Sequence, residues 1–196
     1  LNKDWAQRTH DGEDNNRNNI LDYGEDKNGD GEITRYILPE PPPAPNMTAE
    51  VGDQKVTIYW SNNAEFVPDP ISQTIDFEGY RIYGARKTIG EDIEFSLLGE
   101  FDKITFMADS TDTIPIGYNT GFEQIQLMNP DSVKINDIYY HYRFVNEGVQ
   151  NGWLNYYAVT AYDRGDQKIN MESLESSLYA NRKYVYPGIA PEISGW

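Results

Sequence analysis

Apolar and polar residues alternate in a series of short segments after residue 45. In the first of these, Val56, Ile58 and Trp60 alternate with Thr57 and Tyr59. A period of two puts alternate side chains on opposite faces, so it indicates a strand with one buried face. Similar patterns between turn residues predict strands over residues 55–60, 79–86, 95–101, 138–145, 155–162 and 177–186.

This series of strands indicates an all-β fold. No segment has a long helical period, and several short strands in one domain pack as two sheets face to face. We therefore expect a two-sheet sandwich in which Trp60 is buried beside Tyr80, Ile82, Tyr157 and Val159.

Proline separates this region from the N-terminal part of the chain. Residues 39–45 read PEPPPAP, which is typical of a stiff, extended linker. The sequence thus predicts an N-terminal segment at 1–38, a linker at 39–45, a sandwich at 46–188 and a tail at 189–196.

The N-terminal segment contains an acidic repeat of twelve residues. Residues 13–24 read EDNNRNNILDYG and residues 25–36 read EDKNGDGEITRY, so Glu13 aligns with Glu25 and Asp14 with Asp26. Side chains with short oxygen-bearing groups stand at every second position. Because Ca²⁺ takes several oxygen ligands from a tightly turned loop, the repeat predicts two calcium sites.

The first block fits a twelve-position calcium loop. Its ligands on this reading are Asp14, Asn16, Asn18, the Ile20 carbonyl, Asp22 and Glu25. Glu25 is the bidentate ligand at the last position. Asn19 replaces the usual glycine at the sharp turn, and asparagine tolerates the left-handed backbone better than most residues.

The second block lacks its last ligand. It offers Asp26, Asn28, Asp30 and the Glu32 carbonyl. Its twelfth position is Ile37, so a carboxylate from elsewhere must close this loop, and Asp22 and Glu25 are candidates for a shared ligand. The alternative to both sites is a solvated acidic linker that binds no metal.

Both parts of the chain resemble known families. The abutting loops lack the flanking helices of an EF-hand and are similar to the tandem calcium loops of thrombospondin type 3 and dockerin modules. Beyond the linker, PPPAPNMTAEVGDQKVTIYW, FEGYRIYGAR, YRFVNEGVQNGWLNYYAVTAYD and SLESSLYANRKYVYP occur in the order of strand motifs in a fibronectin type III domain. This resemblance implies an immunoglobulin-like sandwich of the kind found in secreted bacterial proteins, with residues 102–137 as an insertion.

Composition excludes several functions. The chain has 32 acidic and 16 basic residues, and its net charge of −16 disfavours binding to nucleic acid or to an anionic membrane. It contains no cysteine, which excludes disulfides and thiolate metal sites, and no apolar run long enough for a transmembrane helix. A nucleophile elbow, an HExxH motif and a phosphate loop are absent, so we predict no enzymatic activity.

These observations predict an extracellular or cell-surface module that is stabilised by Ca²⁺ and has a structural or interaction role. The expected partner is a protein, and one form of this is self-association into a filament or layer through the segment ITRYIL at 33–38. The chain begins at Leu1 without a signal-like apolar core, so we expect a processed product or a fragment. The alternative function is a carbohydrate-binding accessory domain of a secreted enzyme, in which exposed tyrosines stack on sugar rings.

Overall fold

The computed structural model describes residues 3–70, 74–87, 92–108, 113–165 and 172–188. The elements in chain order are α1 Lys3–Asp11, β1 Met47–Gly52, β2 Lys55–Trp60, a 3-10 helix Asn63–Phe66, β3 Phe77–Arg86, β4 Ser96–Asp102, β5 Thr105–Ala108, β6 Thr113–Ile116, β7 Val133–Ile135, β8 Ile138–Tyr140, β9 Tyr142–Glu147, β10 Asn155–Asp163 and β11 Lys183–Val185.

Two antiparallel sheets make up the all-β sandwich that the alternation predicted. One sheet has the strand order β1–β2–β9, and the other has the order β11–β10–β3–β4. In the first sheet Trp60 pairs with Met47 on one side and with Tyr142 on the other. In the second sheet Val159 pairs with Ile82. The fold class is therefore confirmed, and two further hairpins, β5–β6 and β7–β8, lie within residues 103–140.

The core between the sheets is built from the side chains that the period-two pattern singled out. Trp60, Tyr80, Ile82 and Val159 are completely buried, and Tyr157 is 1% exposed. The Trp60 ring meets Tyr80 edge-on at 5.8 Å between centroids and stacks on Tyr142 at 5.6 Å. Large aromatic side chains thus provide much of the apolar surface that this sandwich buries.

The strand predicted over 138–145 is two strands with different partners. β8 pairs with β7, whereas β9 pairs with β2. The change takes place at His141, whose N–H donates to the Trp60 carbonyl and whose carbonyl accepts from Leu127 N–H. The side chains alternate on both sides of His141, so the sequence pattern alone does not reveal the change of partner.

The strand predicted over 177–186 is also shorter in the structure. Only Lys183–Val185 pairs as β11, and the preceding residues turn away from the sheet. The Asn181 side chain takes the place of a strand there. Its Nδ2 donates to the Val159 and Pro45 carbonyls, both at 2.7 Å, and its Oδ1 accepts from Val159 N–H at 3.3 Å. This side chain fastens the end of the proline linker to β10.

The sequence pattern did not predict helix α1. The helix is short and polar, so it has no apolar stripe by which a helical period could be recognised. It ends at Gly12, which has a φ of +61° and donates its N–H to the Arg8 carbonyl. A Cβ at Gly12 would lie 2.1 Å from the Thr34 carbonyl oxygen, so glycine is needed where the helix meets the repeat.

Replacing Trp60 with alanine should lower the free energy of unfolding by about 3–5 kcal/mol, as large aromatic truncations in a core do. Phe66→Ala is the control because Phe66 is 63% exposed, and it should change stability by less than about 1 kcal/mol. Denaturant unfolding of the two variants measures this difference. An unchanged unfolding midpoint in Trp60→Ala would contradict the packing described here.

Candidate metal centre

The acidic repeat folds into two loops whose hydrogen bonds match at an offset of twelve residues. Asn18 N–H donates to Asn16 Oδ1 at 3.0 Å, and Asp30 N–H donates to Asn28 Oδ1 at 2.9 Å. The N–H groups two residues further on, at Ile20 and Glu32, donate to Asn18 Oδ1 and Asp30 Oδ1 at 2.7 and 2.8 Å. The sequence repeat is therefore also a repeat of backbone geometry.

Left-handed backbone occurs at matching positions in both loops. Arg17 and Asn19 have φ values of +64° and +60°, and the equivalent Gly29 and Gly31 have values of +77° and +78°. Asn19 adopts the conformation predicted for a residue that replaces glycine at the sharp turn.

Glu25, the residue predicted as the last ligand of the first loop, accepts backbone N–H groups from both ends of that loop. Its Oε1 accepts N–H bonds from Asn15 and Asn16 at 2.9 and 3.3 Å, and its Oε2 accepts from Asp22 N–H at 3.0 Å. The carboxylate thus draws the two ends of the loop together.

Glu13 closes the second loop in the same way. Its Oε1 accepts from the N–H groups of Lys27 and Asn28 at 2.9 and 3.2 Å, and its Oε2 accepts from Thr34 N–H at 2.8 Å. Each of these donors lies twelve residues after a donor to Glu25. The closing carboxylate of the second loop therefore comes from the residue that precedes the first loop.

This arrangement differs from the shared ligand that the sequence suggested. Asp22 stays within the first loop, where its Oδ2 accepts from the Asn16 and Asn18 amides at 2.7 Å each. Glu25 is likewise bonded to its own loop. The repeat contained the signal for Glu13, because Glu13 stands twelve residues before Glu25, the glutamate that closes the first loop.

Three acidic side chains converge in the second loop and could hold a metal ion. Oxygens of Glu13, Asp26 and Asp30 all lie within 4.8 Å of one another, and this is the one such group among the described residues. Carboxylate oxygens are the ligands that hard cations such as Ca²⁺ and Mg²⁺ prefer. The predicted ligands Asp26 and Asp30 are thus brought together, and Glu13 is added to them.

In the first loop, Asp14 has a buried oxygen without a partner. Asp14 is 1% exposed, and its Oδ2 accepts from Asn19 N–H at 3.1 Å and from Arg35 Nη2 at 2.8 Å. Its Oδ1 has no hydrogen-bond partner within the described part of the chain. Leaving a buried acceptor unsatisfied costs free energy, so this oxygen is suited to a ligand.

The hydrogen bonds of these carboxylates favour their charged form. Burial on its own would raise the pKa of Glu13, but the N–H bonds from Thr34, Lys27 and Asn28 outweigh it and the pKa is lowered. For Asp14, burial also raises the pKa, and the hydrogen bonds from Arg35 and Asn19 lower it by more. Both side chains are therefore ionised at neutral pH, as a cation site requires.

A second group of buried acids lies at one end of the sandwich. Asp102 is completely buried and accepts N–H bonds from Tyr118, Asn119 and Thr120 at 2.5, 3.0 and 2.6 Å, which ties the insertion to β4. Glu78 is 2% exposed, and its Oε1 has no hydrogen-bond partner among the described residues. Burial, together with the nearby charge of Asp102, raises the pKa of Glu78 to about 7.

Comparisons with known proteins add no identification. No protein-family model matches the chain, and no curated protein matches it. Among the described residues, no helix has the length and apolar character needed to cross a membrane.

Glu78→Gln should stabilise the protein at pH 8. Folding raises the pKa of Glu78, so the folded state loses stability as the pH rises from the unfolded value towards about 7. The uncharged variant avoids this loss and should gain on the order of 2 kcal/mol at pH 8, with the gain shrinking towards pH 4.5. Denaturant unfolding across this pH range measures the effect, with the exposed Glu94→Gln as control. A gain that does not depend on pH would contradict the burial of a charged Glu78.

Proposed function

We propose that residues 13–37 bind Ca²⁺ and that the chain is an extracellular, calcium-stabilised module with a structural or interaction role. The observation that carries the proposal is the convergence of Glu13, Asp26 and Asp30 in a loop whose hydrogen bonds repeat in the loop beside it. An acidic linker that is defined only by its composition is not expected to repeat its hydrogen bonds at a fixed offset of twelve residues.

The chemistry of the ligand set favours Ca²⁺ over Mg²⁺. The proposed ligands are all oxygen atoms, and in the second loop they come from Glu13, Asp26, Asn28, Asp30 and the Glu32 carbonyl. A single loop that supplies this many protein oxygens suits a large cation with flexible coordination, whereas Mg²⁺ retains several waters. Thr34 lies beside them and accepts a hydrogen bond from the Asn28 amide at 2.7 Å.

The loops need a cation because they have almost no core of their own. Ile20 is 60% exposed, Tyr36 is 66% exposed and Tyr23 is fully exposed. Ordering the backbone costs about 1–2 kcal/mol per residue, and so little buried apolar surface does not offset that cost. Metal binding at a site that exists only in the folded loops supplies the missing free energy.

We infer that the segment serves as a connector. Within the described residues, every hydrogen bond and ion pair of residues 3–38 stays inside that segment, and the proline linker follows. A rigid spacer next to a sandwich fits a module that presents or joins other domains. A spacer and a sandwich module can fulfil this role without catalysing a reaction, so we propose that the protein is not an enzyme.

A protein partner fits this role, with self-association as one form of it. Tyr36 and Leu38 in the segment 33–38 are 66% and 60% exposed, so their side chains are available for contact with a neighbour. Electron microscopy of the purified chain, with and without a chelator, distinguishes a polymer from a monomer.

Carbohydrate binding is the second candidate function, and a surface on β10 and β11 favours it. Tyr179 and Tyr184 are each 68% exposed, and Arg182 lies over the rings of Tyr156 and Tyr179 at 5.4 and 5.1 Å. Exposed aromatic rings of this kind provide stacking faces for sugars. Loss of polysaccharide binding in Tyr184→Ala, with the fold intact, would support this candidate.

Replacing Glu13 with glutamine should weaken Ca²⁺ binding by about tenfold or more, because the second loop loses a charged ligand and one of the two oxygens that close it. Calorimetry on the full chain measures the affinity. Glu50→Gln, an exposed position on β1, is the matched control and should leave the affinity unchanged. Equal affinity in Glu13→Gln and in the wild-type protein would contradict the role of Glu13.

Removing Ca²⁺ should melt residues 13–37 while the sandwich stays folded. The sandwich has its own core, whereas the loops depend on the metal. Hydrogen exchange with and without EDTA should show lost protection in the loops and retained protection in β2 and β10. Equal protection of residues 13–37 under both conditions would show that Ca²⁺ does not hold the loops.

A further inference from the structure

The matching of the two loops breaks down at Arg35. Arg35 Nη2 donates to Asp14 Oδ2 and to Asn19 Oδ1, both at 2.8 Å. Arg35 belongs to the second loop, but both of these acceptors belong to the first. The residue equivalent to Arg35 in the first loop is Tyr23, which is fully exposed. A guanidinium is therefore held against the first loop, and the described residues place nothing equivalent against the second.

This contact gives the two loops different charges. The ion pair between Arg35 and Asp14 is well shielded, since the two side chains are 29% and 1% exposed. Among the described residues, no ion pair is made by Glu13, Asp26 or Asp30. The second loop thus keeps its full negative charge for a cation, whereas the first already has one positive group beside its first ligand.

The side chains of the first loop also point to a weaker site. The acids of this loop do not gather within 4.8 Å as those of the second loop do, and Asn18 stands where the second loop has Asp30. Asp14 Oδ1 nevertheless has no hydrogen-bond donor in the part of the chain that the structure describes, so one ligand atom of the first loop is still open.

We propose that the two loops are unequal calcium sites, and that Arg35 sets the difference. The second loop binds Ca²⁺ tightly. The first binds it weakly, because the Arg35 guanidinium repels a second cation at Asp14. The inference rests on the proposed function and specifies how the two halves of the repeat share that function.

The second loop also holds the guanidinium in position. Thr34, the residue before Arg35, donates its N–H to Glu13 and accepts the Glu13 N–H on its carbonyl at 2.9 Å. Closure of the second loop by Glu13 therefore brings Arg35 to Asp14, the neighbour of Glu13 in the chain.

The first test needs no change at Arg35. Titration of the full chain with CaCl₂, followed by calorimetry and native mass spectrometry, should reveal one tight site and a second site weaker by about tenfold or more. Asp26→Asn should abolish the tight site, and Asp14→Asn should leave it intact. Two sites of equal affinity, or loss of the tight site in Asp14→Asn, would overturn the inference. No Ca²⁺ uptake at all would overturn the proposed function as well.

The second test removes the guanidinium. Arg35→Met keeps much of the aliphatic stem without the charge and should tighten the weak site by about tenfold. Arg35→Lys keeps the charge and should leave that site weak, which separates charge from a loss of packing. In the double variant Arg35→Met/Asp14→Asn the tightened site should disappear again, which assigns it to the first loop. Arg143→Met on β9 is the remote control and should not alter either site. An unchanged weak site in Arg35→Met, with the tight site retained as proof of folding, would overturn the role of Arg35.

Discussion

Buried carboxylates that accept backbone N–H groups hold together the irregular parts of this protein. Glu25 and Glu13 each gather three N–H groups, and Asp102 gathers three more at the start of the insertion. For Glu13 and Asp102, these donors outweigh the effect of burial and lower the pKa. Over much of their length the loops and the insertion lack regular strand pairing. These carboxylates hold the backbone in place there, as strand pairing does in the sandwich.

The sandwich is organised by the opposite kind of interaction. Its core is aromatic and apolar, with Trp60 in contact with rings from both sheets. One polar side chain, Asn181, connects the linker to the sandwich. It bonds the N–H and the carbonyl of Val159, and it also donates to the carbonyl of Pro45 at the end of the linker. The end of the linker is thus anchored at a defined point on β10.

Sequence patterns predicted those features that depend on neighbours along the chain. The alternation around Trp60 predicted the correct strand and the correct buried face, and the twelve-residue repeat in the sequence is matched by a repeat of hydrogen bonds. Pairing partners depend on distant residues, which is why the change of sheet at His141 could not be read from alternation. Glu13 could have been found from its place in the repeat, whereas the contact of Arg35 with Asp14 required the three-dimensional structure.

The closing of the second loop by Glu13 limits how such a repeat can grow. Tandem repeats usually lengthen by duplication, because each new unit packs on the last. Here Glu25 serves the first loop and Glu13 serves the second, so the pair uses every closing glutamate that it contains. Residues inserted between the two blocks would separate Glu13 from the loop that it closes. Deleting the first block would likewise remove the carboxylate that closes the second loop, so the two blocks form one structural unit.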